Sequence, residues 1–307
     1  MYRRDFLKTA ATVTLPLCGA SRLLAAQQPP ATSRRVTDTV TVLDVGGSNV
    51  LCSSGNPQEL VLVDSGARAS VSQLTAALQA FGPDAKVHTV FNTHYHVDQT
   101  GNNETLAAAD VAIIAHEHTR QWMATDYWVP ANGRYEKARP KAAWPTATFR
   151  ITGSLTSGTE PIDYGHLPLA HTDGDIYVFF RKANVLAVGD VASPLRDPAL
   201  DFFTGAWIGG RVDAMDEILR LSNEQTRIVP AAGPPMTRAE FKAERDMMEE
   251  VRTRVWMRIL KGDSPRDMLD GGVLNGLGHT WKDPYKFLYD AAQGMFAHHN
   301  KLDPSVI

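Results

Sequence analysis

Apolar residues recur along the chain with two distinct periods, and the switches between them mark out the elements. A β-branched run at 39–43 predicts a strand, and Leu60-Val61-Leu62-Val63 predicts a second, ended by Asp64-Ser65-Gly66. From 70 to 81 the period lengthens, and Leu74, Ala77, Leu78 and Phe81 share one helical face. The segment 86–91 predicts another strand and runs straight into the polar stretch His94-Tyr95-His96-Val97-Asp98. A helix is expected at 103–109, a strand at 111–115 and a helix at 117–124. The stretch 126–148, rich in Pro, Trp and Tyr with no clear period, is expected to be a long surface loop. Further along, 176–180 and 185–188 predict strands around a turn at Lys182-Ala183-Asn184, with helices at 212–222 and 237–261. No repeat of solenoid length interrupts this order. Both halves therefore offer strands followed by helices, which suits two sheets packed together with helices outside them.

Composition narrows the class. Of 307 residues, 43% are hydrophobic and 21% charged, which supports a sizeable core and excludes a disordered chain. The 31 basic residues nearly balance 34 acidic ones, for a formal charge of -3, so nucleic acid is not expected as a partner. No uninterrupted apolar run reaches the ~18 residues of a membrane helix. Two cysteines, Cys18 and Cys52, are too few for a disulfide scaffold.

The first residues carry an address. Arg3 and Arg4, followed by Phe6-Leu7-Lys8, precede a modestly apolar stretch at 9–20 and the small residues Ala25-Ala26. This order resembles a twin-arginine-type bacterial export signal over 1–26, cut after Ala26. Leu17 stands where a lipoprotein box needs a small residue, so a soluble periplasmic product is expected, with no membrane attachment after cleavage. Cleavage would remove Cys18 and leave Cys52 alone, unable to form an internal disulfide. The twin-arginine route carries folded, often cofactor-loaded proteins, which favours a bound metal. A linker is expected over 27–39, followed by one domain over 40–307 with a helical C-terminal region.

Candidate chemistry collects at strand ends. In an extended segment alternate side chains share a face, so His94, His96 and Asp98 project together. Two imidazoles and a carboxylate suit Zn²⁺; a surface His-rich turn is the plainer alternative for this triplet by itself. His171, in His171-Thr172-Asp173-Gly174-Asp175, would complete a three-histidine site with an open position for water. Asp190, in Gly189-Asp190-Val191, ends a strand with a carboxylate. Taken singly, His171 and Asp190 read more readily as structural residues.

Taken in order, with Leu62-Val63-Asp64-Ser65-Gly66 upstream, these segments resemble the metallo-β-lactamase superfamily of metal-dependent hydrolases. The likeness runs on through Thr100-Gly101-Asn102-Asn103-Glu104, Ile114-Ala115-His116-Glu117 and Ile228-Val229-Pro230. It implies an α+β fold, the four-layer αββα sandwich, with metal at one edge between the sheets. The family pattern breaks twice. Gln99 stands where a histidine ligand of a second metal is expected, and Ala232, in Pro230-Ala231-Ala232-Gly233, replaces another. A neutral amide and a methyl group leave Asp98 and Asp190 as the only strong donors there, so one zinc ion is expected rather than two.

The expected enzyme is a metallo-hydrolase acting on a small-molecule substrate. Zinc on His94, His96 and His171 would present hydroxide to an ester, lactone, thioester or amide carbonyl, β-lactams included. Asp98 would orient that hydroxide and accept its proton, while Asp190 would be a weak ligand or the hydrogen-bond partner of a ligand histidine. A degenerate family member that binds a ligand or partner with little catalysis is the alternative; an oxidoreductase accessory or iron-binding member is a third reading. Asp64 is expected to brace the metal loop. His88, His116, His118, His279, His298 and His299 are expected to be structural, with His279 a remote candidate for a missing ligand. Trp122, Tyr127, Trp128 and Trp144 could line a pocket or simply pack a loop.

Overall fold

In a computed structural model, residues 31–56, 58–129 and 133–300 are described. The export signal expected over 1–26 lies outside them. The strands are β1 (Thr32–Arg35), β2 (Val40–Asp44), β3 (Asn49–Asn56), β4 (Glu59–Val63), β5 (Lys86–Phe91), β6 (Ala112–His116), β7 (Tyr127–Val129) and β8 (Arg134–Glu136). They continue with β9 (Ala147–Phe149), β10 (Thr152–Ser157), β11 (Glu160–His166), β12 (Ile176–Phe180), β13 (Val185–Gly189), β14 (Arg227–Pro230) and β15 (Met236–Thr237). The helices are α1 (Val71–Gln79), α2 (Val97–Thr100), α3 (Asn103–Ala107), α4 (Glu117–Ala124), α5 (Ile208–Leu221), α6 (Arg238–Ile259), α7 (Pro265–Asp270) and α8 (Pro284–Asn300).

The strands form a seven-stranded sheet ordered β1-β2-β3-β4-β5-β6-β9, a six-stranded sheet running β10 to β15 in sequence order, and the β7–β8 hairpin. The first sheet is antiparallel through β4 and parallel from β4 to β9. Strand alternation then sorts the side chains into layers. Val61 and Val63 of β4 face Ile176, Val178 and Phe180 of β12 in a core between the sheets, joined by Val42, Leu51 and Phe91. The alternate residues Leu60 and Leu62 turn outward to Leu74 of α1 and Leu106 of α3. On the other side Tyr177, Phe179, Leu186 and Val188 meet Val212 and Ile218 of α5, Met248 and Val255 of α6, and Leu288 of α8. Strands buried on both faces explain why β4, β12 and β13 read as unbroken apolar runs. The result is helices, sheet, sheet, helices: the expected αββα sandwich.

Three local differences from the sequence reading have simple causes. Part of the segment expected to be a linker, Thr32–Arg35, pairs with β2 as an edge strand whose residues are all exposed, so no hydrophobic pattern announces it. The segment expected to be one long loop carries the β7–β8 hairpin and β9. Helix α5 begins at Ile208, four residues before its expected start; Gly209 and Gly210 carry no side-chain period to read, and they pack against Trp207 and the Leu169 carbonyl, where a side chain would collide. Among the described residues, no helix is long and apolar enough to cross a membrane.

Candidate metal centre

The site forms where the two sheets meet. β5 delivers Asn92 and Thr93 to the seam, and the chain then enters α2 with His96 as its N-cap. His171 arrives from the opposite side, in the loop before β12, and Asp190 follows β13. His94, His96 and His171 each offer a nitrogen, and these atoms lie within 4.8 Å of one another.

The ligand atoms are aimed from behind. Asp64, buried and at a positive φ of 64°, accepts the Thr93 backbone N–H at 2.8 Å and the Thr93 hydroxyl at 2.8 Å. With its proton committed to Asp64, the Thr93 oxygen is free to accept from His94 Nδ1, 3.1 Å away. His94 Nε2 is thereby left bare, fully buried and without a hydrogen-bond partner among the described residues. Gly189, at φ 58°, passes so close that a Cβ there would meet the Thr93 side chain at 2.7 Å. His171 Nδ1 donates to the Ala199 carbonyl at 2.9 Å, so its Nε2 is bare as well. The Asp175 carboxylate accepts the His171 and Thr172 backbone N–H groups at 2.5 and 2.7 Å, which fixes the turn carrying the imidazole.

Electrostatics keep this set ready for a cation. Burial, with His96 nearby, holds His94 well below the usual histidine pKa, and burial with His94 nearby pulls His171 down to about 3. Both are neutral at pH 7, as metal ligands must be. His96 Nδ1 stands 3.0 Å from His171 Nε2. The Asp190 carboxylate lies 3.5 Å from His94 Nε2 and 3.8 Å from His171 Nε2. Three imidazole nitrogens converge here beside a carboxylate, and this donor set fits a borderline metal ion such as zinc.

A buried clasp holds the site's floor. Arg211, fully buried, donates to the Asp190 carbonyl at 2.8 Å and to Ser193 Oγ at 2.9 Å, and pairs with Glu244 at 3.4 Å. It also reaches the Ala199 carbonyl at 3.4 Å, the group that orients His171. No sequence motif marks Arg211, Glu244 or Ala199; their roles arise only from chain closure.

The remaining expected residues fall as follows. Asp98 sits on the first turn of α2, partly exposed, with Arg196 at 3.7 Å; that arginine also donates to the Gly47 carbonyl. Gln99 is fully buried, and both its amide atoms lack a partner among the described residues. Ala232 is 9% exposed. Neither His116 nor His118 joins the triad: His116 stacks on His166 with ring centroids 3.7 Å apart, and His118 faces Asp173. His279 pairs with Asp197, while His298 stacks on Trp207 and His299 lies against Trp256. His88 is exposed on β5. Trp122, Tyr127 and Trp144 pack around Tyr95, Met123 and Ala143, whereas Trp128 is exposed against Tyr135.

A two-sheet sandwich with a histidine triad at the seam that could hold a metal ion defines the class of architecture. Residues 44–255 match the family described as the metallo-beta-lactamase superfamily, and the chain belongs to it. It is similar in structure to a metallo-beta-lactamase from Pontibacter korlensis, at 17% identity over 71% of this chain and 99% of that one, with a TM-score of 0.59. It is likewise similar to the DIM-1 metallo-beta-lactamase, at 18% identity over 72% and 98%, with a TM-score of 0.57. Among curated proteins it resembles the 2,4-dinitroanisole O-demethylase subunit alpha of Nocardioides sp. (strain JS1661), 25% identical over 186 residues, or 59% of this chain. The match spans 53% of that relative, about half its length.

Proposed function

We propose that the chain is a mononuclear zinc hydrolase of small molecules, exported to the periplasm and acting on an ester, lactone, thioester or amide carbonyl. The carrying observation is the set of convergent, bare histidine nitrogens at His94, His96 and His171 beside Asp190. When bound by three neutral imidazoles, zinc lowers the pKa of a coordinated water to about 7 and so supplies a nucleophile near neutral pH. The chain's own residues do the rest. His94, His96 and His171 hold the ion, and Asp190 adds a weak ligand or steadies His94. Asp98 accepts the proton of the attacking water, with Arg196 3.7 Å from its carboxylate. Gln99 and Ala232 support a single ion, since neither supplies a strong donor. The curated relative's name, an O-demethylase subunit, favours a substrate cleaved at a carbon–oxygen bond, so esters and lactones come first in a screen.

Metal content by mass spectrometry tests this directly. About one zinc per chain is expected, lost in His94→Ala and in His171→Ala. No bound metal even after zinc is supplied would favour the degenerate, ligand-binding reading. Two tightly held ions would show that Gln99 and Ala232 do not limit the site. Asp98→Ala is expected to retain zinc and lose at least 10²-fold in turnover, in line with removal of a general base; full activity with metal retained would remove Asp98 from that role.

A further inference from the structure

We infer that Asp201 is the positioning residue of the third imidazole: it selects the proton-bearing nitrogen of His96 and couples that ring to His171 across the seam. This rests on the reading of the triad as a metal site. His96 Nε2 lies 3.3 Å from Asp201 Oδ2, and the same oxygen accepts the Tyr95 hydroxyl at 2.5 Å. A carboxylate accepts and cannot donate while ionised, so the proton of a neutral His96 belongs on Nε2. The other nitrogen, Nδ1, is then bare, and it is the one facing His171 Nε2.

The backbone of Asp201 supplies the second half of the device. Its N–H donates to the His171 carbonyl at 2.9 Å, while its own carbonyl accepts from Thr204 and Ala206. One residue thus grips His171 through its main chain and His96 through its side chain. His96 follows a strand of the first sheet and His171 precedes a strand of the second. The spacing between these two ligands is therefore set by Asp201, not by either sheet alone. Tyr95, packed against Trp122 and Tyr127, closes the carboxylate from its other side. Carboxylates that orient a ligand histidine this way typically contribute 10- to 100-fold in metal affinity.

Two readouts test this in the full chain, neither of them turnover. Zinc affinity is measured by competition with a chromophoric chelator, and the His96 tautomer by imidazole ¹⁵N NMR of the metal-free protein. Wild type is expected to show a proton held on His96 Nε2. Asp201→Ala should mix the tautomers and weaken zinc binding 10- to 100-fold. Asp201→Asn keeps an acceptor oxygen, so it should restore the tautomer while still binding zinc at least fivefold more weakly. Zinc affinity within twofold of wild type in either variant, or an unmixed tautomer in Asp201→Ala, would overturn the assignment. Should Asp201→Ala not fold, Asp201→Asn still decides through affinity. If wild type binds no zinc, the proposed function fails, and the tautomer comparison still judges Asp201.

Discussion

Single side chains here are placed less by their own strand than by a partner behind them. Asp64 shows the cost of losing such a partner. It is 2% exposed, and burial raises its pKa well above the usual carboxylate range, opposed by the Thr93 hydrogen bonds. An amide of the same shape keeps an oxygen for the Thr93 N–H and buries no charge. Asp64→Asn is expected to keep stability near wild type, whereas Asp64→Ala strands the Thr93 N–H and hydroxyl and costs about 2 kcal/mol or more, as read by urea denaturation. Equal losses in the two variants would show that shape, not hydrogen bonding, is what Thr93 needs. Gln99 and Ala232 define a second residue-scale experiment. The double variant Gln99→His, Ala232→His supplies the two imidazoles that the family pattern expects for a second metal, and the bound zinc is expected to rise from about one to about two per chain. Stoichiometry unchanged at one would mean that the backbone around these positions, and not their side chains, limits metal count.

At the scale of elements, the links between sheets and helices carry the energetic risk. Arg211 of α5 and Glu244 of α6 form a buried pair, the first fully buried and the second with 8% of its side chain exposed. Removing one partner leaves an uncompensated buried charge, so Glu244→Leu is expected to cost about 3–5 kcal/mol. The double variant Arg211→Met, Glu244→Leu should recover much of that loss in the same denaturation assay, because both charges leave together. Elements were legible in the sequence where burial is uniform. β4, β12 and β13 follow their apolar runs closely because both strand faces are packed, and β5 does so over its buried C-terminal half. β3 was not legible, since Asn49-Val50-Leu51-Cys52-Ser53-Ser54-Gly55-Asn56 mixes polar and apolar positions and depends on β2 and β4 for its pairing. β10 and β11 likewise interleave Gly, Ser, Asp and Pro with few apolar residues. The same contrast holds for the site. His94, His96, His171 and Asp190 stand in contiguous motifs, but Asp201 meets Tyr95 from 106 residues away, and no local pattern encodes a contact of that kind.

Across the whole molecule, histidines are concentrated on the line where the two sheets join, and that makes the joint sensitive to acid. His94 and His171 meet there, and so do His116, at the end of β6 in one sheet, and His166, at the end of β11 in the other. Burial, with His166 stacked on it, lowers the His116 pKa to about 4, and burial lowers His166 in the same direction. A histidine whose folded pKa lies below its unfolded one takes up its proton earlier in the unfolded chain. Its contribution is intact above the unfolded value, near 6.5, and drains away as pH falls toward the folded value. For His116 the window is therefore about pH 6.5 to 4, and for His171 it extends to about 3. The His116 share, read as the difference between wild type and His116→Gln in urea titrations, is expected to fall between pH 6.5 and 4, while the buried carboxylates Asp175 and Asp173, held above the usual range by burial, work in the opposite direction. His116→Gln keeps an N–H for the Arg150 carbonyl, now 3.0 Å from His116 Nε2, but cannot be protonated, so it lacks that share. Zinc held by the triad would tie His94 and His96 of one half to His171 of the other, and at a hundredfold excess over its Kd should add about 2.7 kcal/mol at pH 7.5. That increment should shrink with acid as protons compete for the same nitrogens. Parallel curves for wild type and His116→Gln between pH 6.5 and 4 would mean that the seam opens before His116 titrates.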